Sequence, residues 1–125
     1  MHLAEIAEIL EAQVLTGGDR LNVEIPAVGA SDMVSDLLFF GHPGMLLLTG
    51  LTKSSVVRAA QVADVAAIVF VRGKRPDRDA VELAQEIGLP LMASAHSMYD
   101  SCGRLYARGL PGVIPAGGAG AGDVS

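Results

Sequence analysis

The chain has 125 residues, a net charge of −5 and one cysteine, and half of its residues are hydrophobic although only 4% are aromatic. This length fits one domain with a core of aliphatic side chains. The longest apolar run, Val65–Val71, is too short to span a membrane, the acidic balance argues against nucleic-acid binding, and a lone Cys102 favours a reducing, cytoplasmic compartment.

The first 40 residues alternate between helical and extended patterns. Apolar side chains at helical spacing predict an amphipathic helix over residues 2–11. A short strand is predicted over 13–16, and alternation over 23–27 predicts an edge strand, because Pro26 cannot donate to a ladder. Ser31 is then expected to cap a helix that continues to Phe40.

From Met45 onward, strands and helices alternate. Strands are predicted over 45–49, 66–71 and 89–93, and helices are predicted over 54–63, 77–87 and 97–108. Asp77 and Ser97 stand at helix starts, and Gly88 stands at a helix end. Strands that are apolar at every position are covered on both faces, so this order predicts an α/β domain with a mainly parallel sheet.

The end of the chain has a different composition. Residues 111–125 are rich in glycine and alanine, which is typical of a flexible tail. The sequence therefore predicts one α/β domain over residues 1–110 and a tail over residues 111–125.

Ligands of an open parallel sheet bind beyond the carboxyl ends of its strands. The turn after the predicted strand over 45–49 is the richest in chemistry, because Gly50 allows close backbone approach and Lys53 adjoins free amides at a helix start, which suits an anion. The turn is not a P-loop, and a plain strand-to-helix turn with a hydroxyl cap is the alternative. Candidate ligand-binding residues here and in the turn over 94–97 are Thr49, Gly50, Thr52, Lys53, Ser54, Ser55, Ser94, His96 and Ser97.

Two further clusters have both a functional and a structural interpretation. His96 and Ser97, close in sequence to Asp100 and Cys102, allow a nucleophile hypothesis, but a triad must be assembled in space, and Ser97 fits equally well as a helix cap. The basic residues over 72–78 could bind phosphate or an acidic partner, or form a solvated turn. Histidine and cysteine show no metal-ligand spacing, so neither a metal nor a cofactor is expected.

The apolar side chains of the predicted helix over 31–40 occupy more of its circumference than the stripe of about 100° that one core covers. A second copy of the chain would cover the remainder. We therefore expect a homodimer, with the candidate interface residues Met33, Val34, Leu37, Leu38, Phe39 and Phe40.

Several stretches resemble the DRTGG domain family of bacteria and archaea, particularly its small stand-alone members. They are Ser31–Leu38, followed by Gly44 and by Thr49-Gly50 after an apolar strand, then Ile68–Asp77 and Ala84–Leu91. The likeness covers about residues 3–110. The string Asp-Arg-Thr-Gly-Gly itself is absent, and Thr16–Arg20 holds the same letters in another order.

The resemblance implies a three-layer α/β/α fold similar to the N-terminal domain of HPr kinase, usually paired as a homodimer and without established catalytic residues. Relatives occur beside nucleotide-sensing CBS domains, in regulatory regions of phosphotransacetylases and near iron hydrogenase genes. We therefore expect a non-catalytic regulatory or ligand-sensing domain for a nucleotide or phosphorylated metabolite. The alternatives are a partner-binding accessory protein of a hydrogenase-type redox complex, and a small hydrolase or transferase that uses His96 and Ser97.

Overall fold

A computed structural model describes residues 1–113, in which helices and strands alternate. The helices of this part are α1 (Leu3–Ile9), α2 (Val34–Phe40), α3 (Ser54–Val62), α4 (Arg78–Ile87) and α5 (Met98–Ala107). Its strands are β1 (Gln13–Thr16), β2 (Val28–Ala30), β3 (Leu46–Thr49), β4 (Ala67–Phe70) and β5 (Leu91–Ala93). A short 3₁₀ turn, Gly18–Arg20, follows β1.

The strands form a sheet in the order β1-β5-β4-β3-β2. Strands β2 to β5 are parallel to one another, because a helix crosses over between each strand and the next. Strand β1 is antiparallel to β5. The predicted α/β fold with a mainly parallel sheet is confirmed. The carboxyl ends of β2 to β5 and the start of β1 share one edge of the sheet, which we call the carboxyl edge.

Helices cover both faces of the sheet, so the molecule has three layers. The core on one face joins α2, α3 and α4 to the sheet, and its buried side chains include Leu37, Val57, Leu47, Phe70 and Ala84. The core on the other face joins α1 and α5 to the sheet, and its buried side chains include Ile6, Leu46, Leu48, Val69 and Leu105. Neighbouring residues of β3 thus enter opposite cores, which explains why that strand is apolar throughout.

Two predicted boundaries were wrong. The edge strand lies at Val28–Ala30 rather than over 23–27, because the backbone of the earlier segment bonds to the start of the chain: the Ile25 amide donates to the Met1 carbonyl at 2.7 Å. Helix α2 begins at Val34 rather than after Ser31, because the Ser31 amide donates to the Leu48 carbonyl of β3 at 3.1 Å and so prolongs the sheet.

Other helix ends agree with the sequence pattern. Asp77 and Ser97 are the N-cap residues of α4 and α5, and the Ser97 hydroxyl accepts a hydrogen bond from the Asp100 amide at 3.0 Å. Gly88 ends α4 with a φ of 74°, a left-handed conformation that glycine adopts without strain.

The segment after α5 returns to the sheet. The Val28 amide donates to the Pro111 carbonyl at 2.9 Å, and the Val113 amide donates to the Val28 carbonyl at 3.0 Å. The remainder of the predicted tail, from residue 114 onward, lies outside the described residues. None of the helices found in residues 1–113 combines the length and the hydrophobicity that crossing a membrane requires.

Two buried serines give a test of the face of the sheet that α1 and α5 cover. Ser94 Oγ donates to the Leu10 carbonyl at 2.7 Å, whereas Ser101 Oγ has no hydrogen-bond partner within residues 1–113. We expect Ser94→Ala to lower the free energy of unfolding by about 1–3 kcal/mol, because it leaves a buried carbonyl without its donor. Ser101→Ala, the matched change, should leave the free energy of unfolding unchanged or raise it. Urea denaturation measures both, and a larger loss for Ser101→Ala would contradict this account.

Candidate functional site

The turns that follow β2 to β5 meet at the carboxyl edge. Backbone hydrogen bonds join them: the Arg72 amide donates to the His96 carbonyl at 2.7 Å, and the Asp77 amide donates to the Thr52 carbonyl at 2.8 Å. The turns after β3, β4 and β5 therefore form one continuous surface, at the place where open parallel sheets bind ligands.

A carboxylate of the protein lies on this surface. Asp32 Oδ1 accepts a hydrogen bond from the Gly50 amide at 2.7 Å, and Asp32 Oδ2 lies 3.5 Å from Arg72 Nη1. The Asp32 and Arg72 side chains are each 45% exposed. We call the Gly50 amide and the Arg72 guanidinium the oxyanion seat, because both donate to an oxygen that carries negative charge.

Gly50 leaves room for the guanidinium. A Cβ atom at this position would lie 2.2 Å from Arg72 Nη2 and 3.2 Å from Asp32 Oδ1. An arginine side chain of the same chain thus lies against the Gly50 backbone, and the approach of a ligand to Gly50 stays a prediction.

Arg72 has a backbone conformation that is rare for a residue with a side chain. Its φ is 61°, and Gly73 follows with a φ of 70°. Two hydrogen bonds hold this turn. The Arg72 amide donates to the His96 carbonyl at 2.7 Å, and the Gly73 amide donates to the Ser94 carbonyl at 2.9 Å. Left-handed residues held in this way cluster at functional sites.

The residues predicted in the turn after β3 have different surroundings. Thr49 is buried, and its hydroxyl accepts a hydrogen bond from the Leu51 amide at 3.1 Å. Lys53 is exposed and pairs with Asp77 at 3.2 Å. Lys53, rather than Thr52, is the N-cap residue of α3, and it makes no side-chain cap. The amides of Ser54 and Ser55 have no acceptor within residues 1–113, so the start of α3 presents free donors.

The residues predicted in the turn after β5 do not assemble a nucleophile. His96 Nε2 lies 2.8 Å from Glu11 Oε1, while the Ser97 hydroxyl caps α5. Ser94 is buried, and its hydroxyl bonds to the backbone. Within the described range, no hydrogen bond joins the His96 ring to the Ser97 hydroxyl. Burial raises the pKa of the Cys102 thiol, which disfavours the reactive thiolate.

The basic residues over 72–78 have different partners and do not form one cluster. Arg72 belongs to the oxyanion seat, Arg75 donates to Gln13 Oε1 at 2.8 Å, and Arg78 pairs with Glu82 of the same helix at 3.6 Å. Across residues 1–113, no group of three or more histidine, cysteine, aspartate or glutamate side chains could hold a metal ion.

Neither Asp32 nor Glu11 stands out in the sequence as a site residue. The signal that could have indicated Arg72 is its position, two residues after the end of the buried strand β4 and directly before a glycine. Asp32 holds the matching position two residues after the end of β2.

Two apolar surfaces lie outside the carboxyl edge. On α2, the predicted interface residues divide: Leu37 is buried and Val34 and Phe40 pack on the core, whereas Met33, Leu38 and Phe39 are 59%, 55% and 89% exposed. On α5, an open groove of about 670 Å³ lies beside two exposed tyrosines. Its lining includes Val28, Tyr99, Cys102, Tyr106 and Leu110.

The structure thus defines a three-layer α/β domain whose polar side chains converge at the carboxyl edge of a mainly parallel sheet. The DRTGG domain matches residues 5–107, and the chain belongs to the DRTGG domain family. The family predicted from the sequence is confirmed.

A solved structure with the same fold contains the CBS and DRTGG domains of the regulatory region of Clostridium perfringens pyrophosphatase, complexed with its activator, diadenosine tetraphosphate. The TM-score is 0.71 at 20% sequence identity, and the match covers 88% of this chain and 47% of the other. The present chain therefore spans about half the length of that relative, and the likeness establishes the fold. No curated protein matches the sequence.

A glycine substitution tests the oxyanion seat. Gly50→Ala should displace the Arg72 guanidinium and lower the free energy of unfolding by only about 1 kcal/mol or less, because an exposed ion pair contributes little and its flexible end can move. Gly17→Ala should cost more, about 1–3 kcal/mol, since Gly17 has a φ of 74° and its Cβ would lie 2.6 Å from Pro90 Cα. Urea denaturation compares the two variants, and equal losses in the free energy of unfolding would contradict the placement of a movable arginine side chain over Gly50.

Proposed function

We propose that this chain is a non-catalytic regulatory domain that binds a small anionic ligand, a nucleotide or a phosphorylated metabolite, at the carboxyl edge. The observation that carries the proposal is the position of the Asp32 carboxylate on the Gly50 amide and the Arg72 guanidinium. This edge already holds an oxyanion of the protein itself, and the same two donors suit a phosphoryl group.

The start of α3 supports the same ligand chemistry. Ser54 and Ser55 present free amides at the positive end of the helix dipole, and Lys53 adds a charge beside them. Lys53 pairs with Asp77 only at the surface, where water competes for both groups, so a ligand phosphate could take over the ammonium. A ligand with several phosphates could therefore contact both the oxyanion seat and the start of α3.

The comparisons support a regulatory rather than a catalytic role. The chain belongs to the DRTGG family, and the solved relative is a regulatory region that is complexed with a nucleotide activator. The hydrolase or transferase alternative finds less support, because the Ser97 hydroxyl caps a helix and the His96 ring pairs with Glu11. We also propose a cytoplasmic location, because a single cysteine, which cannot form a disulfide within the chain, suits a reducing compartment.

We also propose that the chain forms a homodimer through α2. We call the exposed side chains of Met33, Leu38 and Phe39 the apolar patch. Met33 is the N-cap residue of α2, and the other two lie in the last turn of a helix whose remaining apolar side chains pack on the core. A two-fold axis through this patch would let one copy cover the other. The accessory-protein alternative, with a hydrogenase-type complex as partner, would instead use the groove on α5.

Ligand binding is tested by titration calorimetry with ATP and with inorganic pyrophosphate. Arg72→Ala should weaken binding about 10-fold or more, because a charge-assisted hydrogen bond to the ligand is lost. Arg78→Ala makes the same change of charge on α4, away from the oxyanion seat, and should bind as the wild type does. Failure of the wild-type protein to bind either anion, or equal weakening by both variants, would contradict the proposal.

Light scattering after size-exclusion chromatography tests the dimer. The wild-type chain should elute as a dimer at micromolar concentration, and Phe39→Ser should elute as a monomer, since it removes the most exposed large side chain of the patch. Tyr106→Ser is the control on α5 and should remain dimeric. A monomeric wild type would overturn the proposal, and a monomer only for Tyr106→Ser would move the interface to α5.

A further inference from the structure

Asp32 occupies the donors that an incoming oxyanion needs. The Gly50 amide has a single hydrogen to donate, and Asp32 Oδ1 accepts it at 2.7 Å. The Arg72 guanidinium lies over Gly50 and faces Asp32 Oδ2. A second anion beside the Asp32 carboxylate would be repelled by it. A ligand oxyanion and the Asp32 carboxylate therefore compete for one seat.

The same contacts fix the start of α2. Ser31 is bonded to β3 through its amide, and Asp32 then bonds to the turn after β3 and pairs with the turn after β4. Val34 begins a helix of seven residues, of which Leu37 alone is fully buried. Val34 and Phe40 pack at the margin of the core, and the Ser31 hydroxyl also donates to Asp36 Oδ2 at 2.7 Å. The two contacts of Asp32 add the link between this helix start and the turns after β3 and β4.

We infer that Asp32 is a latch: a ligand oxyanion displaces its carboxylate from the oxyanion seat and thereby releases the first turn of α2. This inference rests on the proposed function, since it requires a ligand at that seat. The Asp32 and Arg72 side chains are both partly exposed, so the pair is weak enough to exchange with a ligand. The measured affinity is then the intrinsic affinity multiplied by the fraction of molecules in which the latch is open.

The latch connects the ligand to a distant surface. Met33 directly follows Asp32, and Leu38 and Phe39 lie on the same short helix. Release of the first turn of α2 therefore changes the position of the exposed apolar patch. A ligand at the oxyanion seat therefore changes a surface that the ligand itself does not touch.

Pyrophosphate titration of latch variants tests the inference. Asp32→Ala should bind inorganic pyrophosphate about 5-fold more tightly than the wild-type protein, because the internal competitor, a weak and partly exposed pair, is gone. Asp32→Asn keeps the shape and an acceptor oxygen but removes the charge, and it should show a smaller gain. Asp36→Ala is the matched control, since it removes the same charge from the first turn of α2 at a residue that bonds to Ser31 and not to the seat.

Hydrogen exchange supplies a second measurement. The amides of residues 34–40 should exchange faster in Asp32→Ala, and also in the wild-type protein when pyrophosphate is added. Exchange in α2 that pyrophosphate leaves unchanged would overturn the latch.

The outcomes separate the latch from the proposed function. Equal affinity of Asp32→Ala and wild type, with binding lost in Arg72→Ala, would overturn the latch and leave the ligand site intact. An equal gain in pyrophosphate affinity for Asp36→Ala would show that the gain comes from the change in overall charge, and it would overturn the latch as well. No binding by the wild type or by any Asp32 variant would overturn both.

Discussion

Every residue of β3 and β4 is buried, because helices cover the central sheet on both faces. Such a sheet presents mainly apolar side chains on both faces, so exposed polar chemistry is concentrated at the edges where its strands end. The parallel order of β2 to β5 brings four of those ends together. Asp32, Gly50, Arg72 and His96 meet at one edge for this reason, although up to 64 positions separate them in sequence.

The charges at the proposed site are only partly satisfied by the fold. Arg72 and Asp32 face each other across Gly50 and remain 45% exposed. An ion pair with this exposure contributes little to stability, so its presence does not explain the left-handed backbone of Arg72. The proposed role in holding a ligand oxyanion would account for both the left-handed turn and the glycine that makes room for the guanidinium.

The helices around the sheet differ in how firmly they are held. Helix α3 contributes Val56, Val57, Ala59 and Ala60 to the core, whereas α2 contributes Leu37 as its fully buried residue. The helix that begins at the oxyanion seat is therefore also the most weakly packed of the three on its face, and it carries the exposed patch. A regulatory domain needs such an element, because a ligand can move only what the core does not fix.

The sequence by itself determined the α/β class, the mainly parallel sheet, the family, the N-cap positions Asp77 and Ser97 and the helix end at Gly88. The fold class and the helix ends depend on local periodicity and backbone preference. The sequence also indicated the turn after β3 as a place for an anion. The tertiary structure alone decided that β2 begins at Val28, that β1 lies beside β5, and that Asp32 and Glu11 reach Gly50 and His96. These contacts join residues 18 and 85 positions apart, and no local pattern encodes them, since they arise only when the chain is packed into one sheet.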